Sequence, residues 1–101
     1  MSDPLSATIV EDELPMSLAE LARACRAQEE QIQVWVGEGV LQPLGDSPST
    51  WRFTGASLRR AKLAVTFTRE LEIDTAGVAL ALDLIDEIEA LKASLRRLGR
   101  G

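Results

Sequence analysis

A heptad pattern over the last quarter of the chain most constrains its fold. Apolar residues recur there at alternating spacings of three and four: Ala81, Leu84, Ile88, Leu91, Leu95 and Leu98. This spacing places all six on one side of an α-helix, and such a seam packs best against another helix. We therefore predict a helix over residues 74–98 that forms a homodimer, with dimerisation residues Leu84, Ile88, Leu91, Leu95 and Leu98.

The two halves of this helix differ in how much apolar surface they carry. The first half is wider, through Val78, Leu82 and Ile85, while the second half keeps only the seam. A wide apolar arc is typical of a helix that packs on its own domain. We expect the first half to pack on the rest of the chain, with Asp74 as its N-cap, and the second half to project.

Shorter helices are predicted before this segment. Ser17 and Glu20 form a capping-box pattern, and the helix that they open should end near Cys25. A second helix should cover residues 28–38, with Gly39 in the position of a C-terminal cap glycine. Two short helices joined by a tight turn are typical of a helix-turn-helix.

A small β-wing is predicted after the second helix. Residues 50–53 alternate as a strand does and could pair with Val40 and Leu41. A third helix should follow Gly55 or Ser57 and end near Leu71. The predicted fold is therefore all-α, with about four helices and a two-stranded wing. Residues 1–14 should form a flexible acidic tail, residues 15–73 the domain, and residues 74–98 the long helix.

Composition argues against several kinds of function. The chain has 101 residues, no histidine and one cysteine, Cys25. Without histidine the commonest general base and metal ligand is missing, and one cysteine cannot form an internal disulfide. No segment approaches the roughly 20 apolar residues of a membrane span. We expect a cytoplasmic protein that is not an enzyme, with no metal, no cofactor and no membrane association.

The predicted reading helix lacks the cations that nucleic-acid binding requires. No lysine, arginine or histidine occurs between Arg26 and Arg52, whereas four acids do: Glu29, Glu30, Glu38 and Asp46. A helix that reads DNA needs cations for the phosphates. Direct nucleic-acid binding is therefore not expected, and a basic protein partner is favoured.

A second group of acids lies on the last helix. Asp83, Asp86 and Glu87 fall on one side of it, away from the seam. Such a group is commonly a solvated face, but it could also be a docking surface for a basic helix. Glu29 and Glu30 could add to that surface from the second helix.

Two alternatives to an acidic docking surface stay open. The cations Arg59, Arg60 and Lys62 are expected to be solvated and to balance nearby acids, but together with Arg52 they could contact phosphates, which would make the protein a DNA-binding transcriptional regulator. Alternatively, the protein could be a structural adaptor that pairs helices through its leucine seam.

The sequence also resembles a known family. The run 34–43 (VWVGEGVLQP), followed by Trp51-Arg52-Phe53, is similar to the winged-helix pattern of MerR-type regulators. Typical MerR-type regulators carry basic or aromatic residues where Gln33, Val34 and Trp35 stand. The acidic second helix and the run 79–91 (ALALDLIDEIEAL) look more like one offshoot, the CbpM family of chaperone modulators.

This resemblance implies a partner and an action. A CbpM-type protein would bind the J-domain of a CbpA- or DnaJ-like co-chaperone and inhibit its stimulation of the Hsp70 chaperone DnaK. J-domains present a basic helix to Hsp70, so a competitor should be acidic. The partner-binding residues would then be Asp83, Asp86 and Glu87, with Glu29 and Glu30 as lesser candidates.

Overall fold

The computed structural model describes residues 15–100, and the side chains of residues 15–99. Four helices follow one another along this range: α1 (Leu18–Cys25), α2 (Glu29–Gly37), α3 (Gly55–Arg69) and α4 (Thr75–Arg100). Helix α1 packs on α2 and α3, and α3 packs on α4. The mostly helical fold predicted from the sequence is confirmed, whereas the predicted tail, residues 1–14, lies outside the described residues.

Local hydrogen bonds set the helix starts. At α1 the Ser17 backbone N–H donates to Glu20 Oε1 at 2.8 Å, and the Glu20 N–H donates to Ser17 Oγ at 3.2 Å. This confirms the predicted capping box. At α4 the Gly77 N–H donates to Asp74 Oδ1 at 2.9 Å, which confirms Asp74 as a cap. Helix α3 is capped by Thr54, just before the predicted start.

The helix ends lie within two residues of their predicted positions. Helix α1 ends at Cys25, and Arg26 turns the chain in a left-handed conformation with φ 59°. Helix α2 ends at Gly37 with Glu38 as its cap, and Gly39 follows with φ 80°, a conformation that glycine adopts at little cost. Helix α3 ends at Arg69, two residues before the predicted Leu71, and α4 continues two residues beyond the predicted Leu98.

The core lies where α1, α2, α3 and the first turns of α4 meet. Its largest fully buried side chains are Trp35, Phe53, Leu21, Ile32, Leu41, Leu82, Val40 and Val78. The small residues Ala61 and Ala64 are also fully buried, and their size lets α3 approach its neighbours closely. Cys25 is buried at the end of α1, and burial raises the pKa of its thiol, which favours the protonated form.

The predicted wing is reduced to single backbone bridges. Residues 15–100 contain no strand, and their only β-type pairs are Met16 with Phe53 and Leu44 with Arg52. The Leu44 and Arg52 backbones exchange hydrogen bonds of 2.9 and 2.8 Å. The rings of Trp51 and Phe53 meet edge to face, with centroids 6.0 Å apart. The turn between Leu44 and Arg52 therefore exists, but without a two-stranded sheet.

The prediction that Val40 and Leu41 would form a wing strand was wrong. Both residues are buried in the core. Their backbone N–H groups fold back on the end of α2 and point to the Trp35 carbonyl oxygen, at 2.8 Å from Val40 and 3.4 Å from Leu41. Because these donors are used by the helix end, they are not available to a strand partner.

Helix α4 changes from buried to exposed along its length. Val78 and Leu82 are fully buried, and Ile85 is half-buried. The exposed fraction of the seam residues then rises from 49% at Leu84 to 77% at Leu98. The first half therefore packs on the domain and the second half stands clear of it, as predicted. Leu80 is 61% exposed and Ala81 half-buried, so Leu80 extends the exposed apolar surface better than Ala81 does.

Candidate partner-binding site

Helix α4 carries three kinds of side chain on three sides. Each residue advances the helix by about 100°, which places the core side chains, the seam and the acids roughly 120° apart. The acidic side consists of Asp83, Asp86 and Glu87, and all three are exposed. The structure therefore keeps the acids away from the core without burying them in the seam.

Arg60 of α3 contacts two of these three carboxylates. Its Nη1 donates a hydrogen bond to Asp86 Oδ2, and its Nη2 lies 3.7 Å from Asp83 Oδ1. Its Nε donates to the Val40 carbonyl oxygen at 2.8 Å. One guanidinium therefore links α3, α4 and the segment that leaves α2. Sequence reasoning favoured positions that balance nearby acids for Arg59, Arg60 and Lys62, with phosphate contact as the alternative, and it did not identify Val40, Asp83 and Asp86 as partners of Arg60.

The Arg60 side chain is much less exposed than its partners. It is 23% exposed, whereas the side chains of Asp83 and Asp86 are 72% and 63% exposed. The cation therefore approaches the carboxylates from the domain side and leaves their other side open to solvent. Three carboxylates against one guanidinium leave the acidic side of α4 with a net negative charge.

A cavity of about 320 Å³ lies beside this ion cluster. Gly39, Val40 and Gln42 line one side of it, and the first turns of α3 line another. Arg60, Asp83 and Asp86 complete the lining. The carboxylates therefore stand at the edge of a concave surface formed by three segments of the chain.

Glu87 differs from its two neighbours. It is exposed, and among residues 15–99 it forms no ion pair with another side chain. No cation within this range therefore competes with a partner for the Glu87 carboxylate.

Glu29 and Glu30 lie apart from the acids of α4. They occupy the first turn of α2, where negative charge favours the helix. The helix rise puts them roughly 12 Å along the axis from Gly37, at the opposite end of α2 from the Val40 carbonyl that binds Arg60. The structure therefore places Asp83, Asp86 and Glu87 together and leaves Glu29 and Glu30 outside their cluster.

The four cations of the DNA-binding alternative do not form one surface. Arg60 is held against α4 by Asp83 and Asp86, while Lys62, two residues later, faces about 160° away around α3. Arg52 precedes α3 and donates to the Trp51 carbonyl oxygen at 2.7 Å. Arg59 is exposed on α3.

Residues 15–100 also contain no helix long and apolar enough to cross a membrane.

Comparison with known proteins identifies the family. The model of the MerR HTH family regulatory proteins matches residues 16–100. A chaperone modulatory protein CbpM from Coxiella burnetii is 42% identical over 92 residues, which cover 91% of this chain and 87% of the relative. The CbpM of Pseudomonas entomophila is 34% identical over 82% of this chain and 91% of the relative.

A third relative matches over nearly the whole chain. The CbpM of Pseudomonas putida is 30% identical over 95% of this chain and 96% of that protein. These matches include the helix-turn-helix and α4. The chain therefore belongs to the CbpM family of chaperone modulatory proteins, an offshoot of the MerR-type helix-turn-helix regulators.

Proposed function

We propose that this protein is a chaperone modulator that binds the J-domain of a CbpA- or DnaJ-like co-chaperone. By covering the basic surface of the J-domain it prevents that surface from stimulating Hsp70 (DnaK). The observation that carries the proposal is the exposed acidic side of α4, where Asp83 and Asp86 line a cavity and Glu87, the next residue, is exposed as well. The modulatory names of the relatives support the same kind of action.

Electrostatic attraction would supply speed and selectivity to this binding. A negative surface that meets a positive one steers the encounter and disfavours acidic competitors. Exposed charges are screened by salt over about 8 Å at physiological ionic strength. Binding should therefore weaken as the salt concentration rises, mainly through a slower association rate.

We also propose that two copies pair through the seam of α4. Five large apolar side chains from Leu84 to Leu98 are each about half exposed or more: Leu84, Ile88, Leu91, Leu95 and Leu98. A second copy would remove this apolar surface from water. Asp83 and Asp86 lie on a different side of α4, so the seam and these two carboxylates can be occupied together, whereas Glu87 borders the seam.

Charge reversal at Glu87 tests the J-domain proposal. Glu87 forms no ion pair within residues 15–99, so Glu87→Lys should leave the fold of these residues intact and weaken binding of an isolated J-domain about tenfold. The matched control is Glu89→Lys, because Glu89 points about 160° away on the same helix and only meets Lys92 at 4.0 Å. Calorimetric titration at low and physiological salt gives both affinities.

Hsp70 ATPase assays complete this test. The wild-type protein should suppress J-domain stimulation of DnaK, and Glu87→Lys should require a correspondingly higher concentration. If both reversals weaken binding equally, the response reflects overall charge and the contact surface lies elsewhere. If the wild-type protein binds no J-domain, the proposed function is wrong.

A further inference from the structure

We propose that Arg60 is an internal competitor for the carboxylates that bind the partner, so that its charge limits affinity for the J-domain. Removal of that charge should tighten binding. This inference rests on the proposed function and adds to it a residue, Arg60, that regulates the same site. The direction of the effect separates it from a purely structural role, in which any change of Arg60 would weaken binding.

Three contacts fix the Arg60 guanidinium in place. The 2.8 Å hydrogen bond from Nε to the Val40 carbonyl ties it to a buried residue. With Nε held, the two terminal nitrogens point to Asp86 and Asp83. Because the side chain is only 23% exposed, it cannot swing into solvent without breaking the Val40 contact. The cation therefore stays beside the carboxylates when a partner approaches.

The two carboxylates are held unequally. Asp86 accepts a hydrogen bond from Arg60, whereas Asp83 lies 3.7 Å away, beyond hydrogen-bond distance. An incoming cation can therefore pair with Asp83 without disturbing an internal hydrogen bond. At Asp86 it must share the carboxylate with Arg60. Glu87 has no such competitor among residues 15–99.

The repulsion acts at short range. A partner cation that pairs with Asp83 or Asp86 comes within about 8 Å of the Arg60 guanidinium, which is about one Debye length at physiological salt. Salt therefore does not remove the repulsion between the two cations. The same field opposes every basic side chain that docks on this side of α4.

Two substitutions separate charge from position. Arg60→Gln removes the charge and keeps a polar side chain, whereas Arg60→Lys keeps the charge but cannot hold Val40 and both carboxylates in a planar fork. If charge limits affinity, Arg60→Gln should bind the J-domain about two- to fivefold more tightly and with a steeper salt dependence. Arg60→Lys should then stay close to the wild type.

A control removes the same charge elsewhere. Arg97 is exposed on α4 and donates to Ser94 Oγ at 3.0 Å. It lies roughly 16 Å along the helix from Asp86, about two Debye lengths away. Arg97→Gln should therefore change J-domain affinity much less than Arg60→Gln does.

The experiment is calorimetric titration of each full-length variant with an isolated J-domain, with thermal unfolding by circular dichroism. Equal or weaker binding by Arg60→Gln overturns the inference, and weaker binding by both Arg60 variants assigns Arg60 a positioning role instead. If Arg60→Gln folds poorly, the same substitution is made in an Asp86→Asn background, where the residue bonded to the guanidinium has already lost its charge but keeps an oxygen acceptor. It should again tighten binding there, and no gain overturns the inference.

Failure of the inference and failure of the proposed function give different results. If the wild-type protein does not bind the J-domain at any salt concentration, the proposed function fails. If the wild-type protein binds and Arg60→Gln does not improve on it, only the role of Arg60 fails.

Discussion

Single residues at the start of α1 couple folding to pH. Ser17 and Glu20 cap each other through two hydrogen bonds. The bond from the Ser17 backbone N–H, then that from its side chain, lowers the pKa of Glu20 below its ordinary value of 4.5. The ionised carboxylate is therefore bound more strongly in the folded state than in the unfolded state.

The direction of the pH effect follows from this lowered pKa. Above pH 4.5 Glu20 is ionised in both states and its stabilising contribution is complete. As the pH falls from 4.5 through the folded pKa, the unfolded state takes up the proton first and this contribution is lost. Glu20→Gln keeps an acceptor for the capping box but has no such titration.

We predict that Glu20→Gln flattens the acid side of the stability profile. Urea unfolding at pH 7 and at intervals below pH 5 measures the difference between wild type and variant, which should shrink as the pH falls. The exposed Glu70→Gln is a suitable control, since Glu70 is the C-cap residue of α3 and lies at the end of a helix, not at its start. A constant difference across this pH range would contradict the prediction.

At the same scale, neighbouring carboxylates have different surroundings. Asp86 is bonded to Arg60, whereas Glu87, the next residue, forms no ion pair within residues 15–99. A reversal at Asp86 would place two cations together and affect both folding and binding. Glu87 is therefore the cleaner position at which to test the contact surface.

Among the elements, α4 packs on the domain along one half and is exposed along the other. Its first half contributes Val78 and Leu82 to the core, and its second half exposes the seam. Leu82→Ala should lower the free energy of unfolding by about 2–5 kcal/mol, since it leaves a cavity in a close-packed core. Substitutions in the exposed half should leave the fold of the domain unchanged.

We predict that Leu91→Lys together with Leu95→Lys yields a folded monomer. Charges in the seam would be buried by pairing of two helices, which disfavours the dimer. Sedimentation velocity measures the association state, and circular dichroism measures helix content. Lys92→Leu is a control that removes a charge beside the seam instead of adding one within it. Lys92 lies about 100° from Leu91 around the helix. A wild-type protein that is monomeric at high concentration would refute pairing through the seam.

For the whole molecule, the charge distribution favours a basic protein partner over nucleic acid. The chain carries a net charge of −5, and α2 with its cap residue exposes Glu29, Glu30 and Glu38 but no cation. Of the four cations proposed for DNA contact, Arg60 is engaged with α4. The helix in the reading position of this helix-turn-helix would thus repel phosphates.

We predict that the protein does not retard mixed-sequence duplex DNA in a gel-shift assay at about 50 mM salt, where non-specific phosphate binding is strong. The J-domain titration serves as the positive control for folded protein. Retardation that disappears in Arg52→Gln and Lys62→Gln variants would instead support the DNA-binding alternative.

Local patterns carried much of the fold. The Ser17–Glu20 capping box, the Asp74 cap and the Gly39 turn depend on residues at most four positions apart, and each was predicted. The wing was predicted less well, because pairing between segments depends on which backbone donors remain available. The Val40 N–H donates to the Trp35 carbonyl oxygen, and the sequence pattern did not indicate this hydrogen bond.

By itself, the sequence determined the helices, the three-sided character of α4 and the acids that α4 presents, because helical geometry fixes which residues share a side. Only the tertiary structure decided that Arg60 joins Val40 and Asp86, residues 20 and 26 positions away in the chain. Contacts at such separations depend on how the helices pack, and they produce no periodic pattern in the sequence. The acidic surface could thus be predicted, whereas the cation that opposes it could not.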